Sequence, residues 1–233
     1  MITGGGDKVL KRWTFCTKSM DGVRTDPIIM RASHSVRAHD KDVNTVALSP
    51  NDVMVASGSQ DKLIRLWNSS DLSPITTMKG HKRGVWRVVF SPVDKCLASC
   101  SGDRTVKLWS VVDYICLRTF EGHGCSVLCV QFVNKGLQMV SGSADGLLKL
   151  WTVRNGECEW TTEAHDEKIW SIEIWPGEGH FVSGGCDSQL KLWADVTAQK
   201  EEERLLDEEK ILLVEQQMSN DIRNKKYDKV KSS

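Results

Sequence analysis

The sequence predicts an all-β fold of repeated four-stranded sheets, followed by a helix. Two observations support the sheets: an eleven-residue phrase recurs at a fixed step, and short alternating runs fill the residues between its copies. A third supports the helix. After residue 194 glycine and proline disappear, and charged, helix-forming residues dominate.

The repeated phrase sets the period of the fold. Its copies are SGSQDKLIRLW, SCSGDRTVKLW, SGSADGLLKLW and SGGCDSQLKLW, and each begins 42 residues after the one before. Four residue types keep this step: Trp67, Trp109, Trp151 and Trp193; Asp61, Asp103, Asp145 and Asp187; Ser57, Ser99, Ser141 and Ser183; and His39, His81, His123 and His165. Constant phase over four periods indicates a repeat architecture.

Each period is predicted to contain four short strands. In the second period the runs are GVWRVVF, KCLASCS, TVKLWSV and ICLRTF, separated by turn sequences such as SPVD and SGDR. Four strands in about 42 residues are typical of one blade of a β-propeller. We therefore expect four blades, over residues 39–80, 81–122, 123–164 and 165–196.

The residues before the first full repeat are predicted to form a partial blade over 1–17. TGGGDKVLKRW carries Thr3, Asp7 and Trp13 at the offsets of the repeat, but the His and the first strand are missing. Trp13 and His39 are 26 residues apart rather than 14, so we expect a surface loop over 18–38. The total is an incomplete arc of about four and a half blades. Because an open arc exposes strand edges, we expect the sequence to be a C-terminal part or short isoform of a longer protein.

The tail, residues 197–233, is predicted to be a charged helix that starts a truncated C-terminal domain. Its leucines and other apolar residues recur at steps of three and four on partly different faces. Such a helix could contact the propeller and a partner together. It could equally be an ordinary helix docked on its own domain.

Composition excludes several classes of function. The net charge is zero, which gives no electrostatic reason to bind nucleic acid or an anionic membrane. The eight cysteines form no CxxC pair, so we expect free thiols and no zinc site. No run is apolar enough to span a membrane, and GxSxG and phosphate-binding glycine motifs are missing. We expect no catalytic residue, no metal ligand, no cofactor and no small-molecule substrate.

The Gly80-His81 and Gly122-His123 steps, with the Asp and Trp of each phrase, resemble the WD-repeat family. Ala38 and Ala164 replace the glycine elsewhere, and Asp never follows the Trp. The resemblance implies that the sixteen periodic residues form hydrogen-bonded quartets. In each, Asp accepts from His, His bonds Ser, and Ser accepts from the Trp indole N–H. The histidines are then structural rather than catalytic.

The resemblance also suggests where partners bind. WD-repeat propellers commonly use the narrow face around the central channel. The matching positions here are Asn44, Trp86, Leu128, Trp170 and Gln60. These residues could equally be half-buried strand residues. A further possibility is RNA contact through four cations at the rim, Lys79, Lys82, Arg83 and Arg87. The simpler interpretation is that these cations form an ordinary solvated surface.

Longer segments resemble WD-repeat subunits of the small-subunit processome over nearly the whole chain. Among them are AHDKDVNTVALSPND, CLRTFEGHGCSVLCVQFV and LKLWADVT, followed by the acidic tail. The resemblance implies a non-catalytic scaffold of the nucleus and nucleolus that acts in ribosome biogenesis and 18S rRNA processing. Its partners would be other WD-repeat subunits, with pre-rRNA or small nucleolar RNA contacted indirectly and no membrane bound. The competing hypothesis is a cytoplasmic signalling adaptor or ubiquitin-ligase substrate receptor, which uses the same fold to bind a short peptide. An enzyme is disfavoured.

Overall fold

The structure, a computed structural model, describes residues 1–16, 29–175 and 179–194. Within these ranges the chain forms eighteen strands in five antiparallel sheets. The predicted all-β propeller arc is confirmed. The predicted helix of residues 197–233 lies outside the described residues. No helix in the described ranges is long and apolar enough to cross a membrane.

The sheets follow one another along the chain, and each is built from consecutive strands. Sheet 1 contains β1 (Ile2–Gly4), β2 (Val9–Cys16) and β3 (Ile29–Arg37). Sheet 2 contains β4 (Val43–Leu48), β5 (Met54–Ser59), β6 (Ile64–Asn68) and β7 (Pro74–Met78). Sheet 3 contains β8 (Val85–Phe90), β9 (Cys96–Ser101), β10 (Val106–Ser110) and β11 (Cys116–Phe120). Sheet 4 contains β12 (Val127–Val133), β13 (Gln138–Ser143), β14 (Leu147–Thr152) and β15 (Cys158–Glu163), with a 3-10 turn at Asn134–Gly136. Sheet 5 contains β16 (Ile169–Ile174), β17 (His180–Gly185) and β18 (Leu190–Ala194).

The expected loop over 18–38 is wrong for residues 29–37, which form the outer strand of sheet 1. β3 pairs with β2 in an antiparallel ladder that runs from Val9 opposite Arg37 to Cys16 opposite Ile29. The physical reason is that β2 offers a row of backbone N–H and C=O groups, and an adjacent strand satisfies them. The rest of the expected loop, residues 17–28, lies outside the described residues.

Consecutive sheets pack face to face, with one buried apolar cluster at each junction. The tryptophan of one sheet packs on the third strand of the sheet before it. Trp109 packs with Ile64 and Leu66 of β6, and Trp151 packs with Val106 and Leu108 of β10. Sheets 1 and 2 share a cluster around Leu10 and Trp67, and sheets 4 and 5 share one around Leu148 and Ile172. The same apolar positions therefore build each junction.

The first strands of sheets 2 to 5 lie side by side on the inside of the arc. β4 contacts β8, β8 contacts β12, and β12 contacts β16. Each of these strands starts just after the periodic histidine and runs away from it, because the chain continues from His39 into β4 and from His165 into β16. We call the end of the arc that carries the histidines the histidine face. The inner strands position the candidate site.

Candidate interaction site at the central channel

Three sheets contain the complete hydrogen-bonded quartet. In sheet 3, His81 Nδ1 lies 2.9 Å from Asp103, His81 Nε2 lies 2.7 Å from Ser99 Oγ, and the Trp109 indole donates to the same hydroxyl at 2.8 Å. The corresponding distances are 2.9, 2.8 and 2.9 Å in sheet 2 and again in sheet 5. All four periodic histidines are buried. Each quartet ties the loop before the first strand to the second and third strands.

The expected Asp–His contact is missing in sheet 4. His123 Nε2 lies 2.7 Å from Ser141 Oγ, and Trp151 donates to that serine at 2.8 Å. However, His123 Nδ1 is buried and has no hydrogen-bond partner. The reason is that the Asp145 carboxylate is exposed and accepts instead from the Ser143 hydroxyl and the Leu147 amide.

The ionisation of these groups reflects their burial and hydrogen bonds. Burial lowers the pKa of His123 to about 4, so its ring is neutral at pH 7. Burial also lowers the pKa of His39, although the Asp61 carboxylate opposes this shift. For Asp103, burial raises the pKa, but the hydrogen bond from His81 and the Lys82 amide outweigh it and leave the pKa well below its usual value. The carboxylate of the quartet is thus an ionised acceptor.

The partial sheet keeps part of the same arrangement. The Trp13 indole donates to Thr3 Oγ1 at 2.8 Å, the bond that joins Trp to Ser in the other sheets. Asp7 accepts from the Val9 amide at 3.2 Å and from Lys11 Nζ at 3.0 Å. The threonine hydroxyl therefore takes the place of the serine.

Four of the five predicted partner-binding residues line one cavity of about 620 Å³ between the inner strands: Asn44, Trp86, Leu128 and Trp170. Trp170 is 51% exposed, Trp86 is half-buried and Leu128 is buried. The Trp170 indole lies 2.9 Å from Cys186 Sγ. We call this cavity the channel site. Both tryptophans are accessible in this site, Trp170 more so than Trp86.

Two sequence-based expectations about this surface differ from the structure. Gln60 is not among the residues that line the channel site, and its side chain lies against Gly84. Arg87 was expected at the rim with the other cations, but it lines the channel site. The pairing of β8 with β9 is irregular between Val85 and Arg87, which interrupts the usual alternation of side chains at this point.

A polar bridge crosses the channel site, and the repeat pattern does not predict it. Arg87 Nη1 donates to Ser171 Oγ at 3.2 Å, and Nη2 donates to the Glu173 carboxylate. Both acceptors lie on β16, so Arg87 of sheet 3 reaches past sheet 4 to sheet 5. Arg87 and Ser171 are two periods apart and so occupy the same position in their sheets. The sequence shows this spacing, but equal positions in two repeats do not indicate whether the side chains are close enough to bond.

The buried histidines and cysteines of the described residues have structural surroundings. No group of three or more His, Cys, Asp or Glu side chains in the described ranges could hold a metal ion. The four periodic histidines are held through Nε2 by buried serines. Burial raises the pKa of the Cys129 thiol to about 12 and raises the pKa of the Cys100 thiol well above its usual value, so these thiols are not nucleophiles at neutral pH.

The comparison with protein families agrees with the geometry. The family described as WD domain, G-beta repeat matches residues 30–68, 72–110, 114–152 and 156–194, more than half of the chain. This chain belongs to the WD-repeat family. Each matched segment ends one residue after the periodic tryptophan, so the family repeat and the 42-residue period coincide.

The chain is similar over a shorter stretch to several curated proteins. It is 40% identical over 71 residues to Transducin beta-like protein 3 of Homo sapiens, and the match covers 29% of this chain and 9% of the human protein. The Mus musculus protein of the same name gives the same figures. U3 small nucleolar RNA-associated protein 13 of Saccharomyces cerevisiae is 37% identical over 70 residues, which are 29% of this chain and 8% of the yeast protein. The chain therefore spans a small part of these relatives, and the match is shorter than the expected resemblance over nearly the whole chain.

Proposed function

We propose that this chain is part of a non-catalytic WD-repeat scaffold of the nucleolus that acts in the small-subunit processome during 18S pre-rRNA processing. Two relatives support this: Transducin beta-like protein 3, and a yeast protein whose name associates it with U3 small nucleolar RNA. Its partners are other WD-repeat subunits of the processome, and RNA is contacted through them.

The observation that carries the proposal is that the periodic side chains and the channel side chains lie in different surroundings. The buried His, Ser and Trp side chains hold the sheets together, whereas Trp86 and Trp170 line the channel site, where a partner can reach them. Tryptophan is enriched among the residues that dominate binding energy at protein interfaces. The channel site is thus the docking surface of the scaffold.

Replacement of both Trp86 and Trp170 with Ala should remove this docking. We expect recovery of processome WD-repeat subunits with the tagged chain from nucleolar extract to fall about tenfold, the effect of losing hot-spot residues. The matched control is Trp175→Ala, because Trp175 is also exposed, at 58%, and follows the end of β16 away from the histidine face.

Two results would contradict the proposal. Equal recovery with the double variant and the control would remove the channel site as the docking surface. Recovery of a cullin adaptor in place of processome subunits would favour the ubiquitin-ligase hypothesis.

A further inference from the structure

The strongest unexplained feature of the channel site is the bridge that Arg87 makes across it. The Arg87 side chain is 22% exposed, whereas that of its partner Glu173 is 63% exposed. One end of this ion pair is therefore largely buried in the channel wall, and the other end is largely in water.

This difference decides which partner can be exchanged. A carboxylate that leaves Arg87 can rotate into water at little cost, because Glu173 is already mostly hydrated. A guanidinium that loses its acceptor inside the wall stays partly buried and unpaired, which is costly. An incoming group can therefore replace Glu173 on Arg87, but it cannot readily replace Arg87 on Glu173.

The surroundings of Arg87 add an apolar requirement. Trp86 precedes it on β8, and Trp170 lies on the facing strand β16. Both tryptophans and the Gln131 side chain line the same cavity, whose volume of about 620 Å³ is in the range of pockets that hold a small ligand or a few side chains. The Asn44 amide is already engaged, since it donates to the Val85 carbonyl at 2.7 Å.

We propose that the channel site binds a peptide segment in which a carboxylate lies beside an aliphatic side chain. The carboxylate replaces Glu173 and accepts from Arg87, and the aliphatic side chain packs on Trp86 and Trp170. This inference rests on the proposed docking function and specifies the chemistry of the docked segment. A segment with a cation in that place is excluded by the cost of leaving Arg87 unpaired.

The test uses the full chain and three synthetic peptides, acetyl-Ser-Leu-Asp-Leu-Ser-amide and its counterparts with Asn or Lys in place of Asp. Binding is measured by calorimetry and by the fluorescence of the exposed tryptophans. We expect the Asp peptide to bind about tenfold more tightly than the Asn peptide, because a charge-assisted hydrogen bond is stronger than a neutral one. The Lys peptide should bind more weakly than either.

Glu173→Gln is the decisive variant. Glutamine keeps the shape of the side chain and removes the competing charge, so the Asp peptide should bind several-fold more tightly than it does to the unaltered chain. Arg87→Gln should remove the preference for Asp over Asn, and Arg87→Lys should keep part of it. Thermal unfolding of each variant serves as the folding control. If the Arg87→Gln variant does not fold, the peptide affinity of Glu173→Gln alone decides whether a carboxylate replaces Glu173 on Arg87.

Equal binding of the Asp and Asn peptides, or an unchanged affinity in Glu173→Gln, would overturn the carboxylate exchange. A failure to bind any of the three peptides would overturn it as well. None of these three results depends on recovery of subunits from extract, so the docking function is tested separately by the Trp86 and Trp170 variants.

Discussion

The serine hydroxyl at the centre of each repeat is satisfied on both sides. Ser99 Oγ accepts from the Trp109 indole, and it contacts His81 Nε2. An indole can only donate and an ionised carboxylate can only accept, so the chain from Trp to Asp has one direction. Because these groups are buried, removal of one member leaves its neighbour unsatisfied.

The contrast between Asp103 and Asp145 gives a matched pair of variants. Asp103→Ala removes the acceptor of the His81 ring and of the Lys82 amide, so we expect the free energy of unfolding to fall by about 2 kcal/mol. Asp145→Ala should cost less than half as much, because Asp145 is exposed and makes no bond to His123. Urea unfolding midpoints measure both. Equal losses would show that the histidine contact does not carry the stability of the quartet.

At the scale of the element, the turn between the second and third strands repeats one backbone conformation. The residue after the periodic Asp has a positive φ in each turn: 74° at Lys62, 72° at Arg104, 80° at Gly146 and 61° at Ser188. Gly146 differs because the main chain of the loop that leads into β16 leaves no room for a side chain there. Its carbonyl accepts from the amides of Ala164 and His165, and a side chain there would have its Cβ 1.9 Å from the His165 carbonyl oxygen.

Gly146→Ala should therefore destabilise the junction between sheets 4 and 5. An alanine there would be strained by the left-handed backbone and would clash with a main-chain atom. Together these two effects should lower the free energy of unfolding by about 2–3 kcal/mol. The control is Gly124→Ala in the neighbouring loop, where the nearest atom to the new Cβ is Asp145 Oδ2 at an ordinary 3.7 Å. A similar fall in Tm for the two variants would contradict the expectation.

At the scale of the whole arc, the face that each sheet presents to the next one is exposed in sheet 5. Ile64 and Leu66 of β6 are fully buried under sheet 3. The equivalent residues of β18, Leu190 and Leu192, are 80% and 65% exposed. Contiguous exposed apolar surface of this kind promotes association.

We expect the chain to self-associate through this face. Leu190→Lys combined with Leu192→Lys should lower the weight-average mass in sedimentation velocity at high protein concentration, because the charges oppose burial. A control with Val93→Lys and Leu137→Lys changes two aliphatic residues that are also exposed but belong to the turns after the first strands of sheets 3 and 4. If the control pair has the same effect, general surface charge and not this face is responsible.

The sequence by itself determined the strand order, the period, and which histidines, serines and tryptophans occur together in each sheet. These follow from local information, because strand alternation and a constant step of 42 residues fix the position of each side chain within its own sheet. The resemblance to WD-repeat proteins, applied at the same step, placed Asn44, Trp86, Leu128 and Trp170 at the central channel, and all four line the channel site.

Only the tertiary structure decided the contacts that join different elements. Residues 29–37 became a strand because β2 offered them a ladder, and the Asp145 carboxylate turned to Ser143 although its position in the repeat matches Asp103. Arg87 meets Ser171 and Glu173 because the sheets are set at angles that bring β8 and β16 within reach of one side chain. Such contacts depend on how the sheets are placed and on which rotamers the side chains adopt. The repeat period of a sequence determines neither of these.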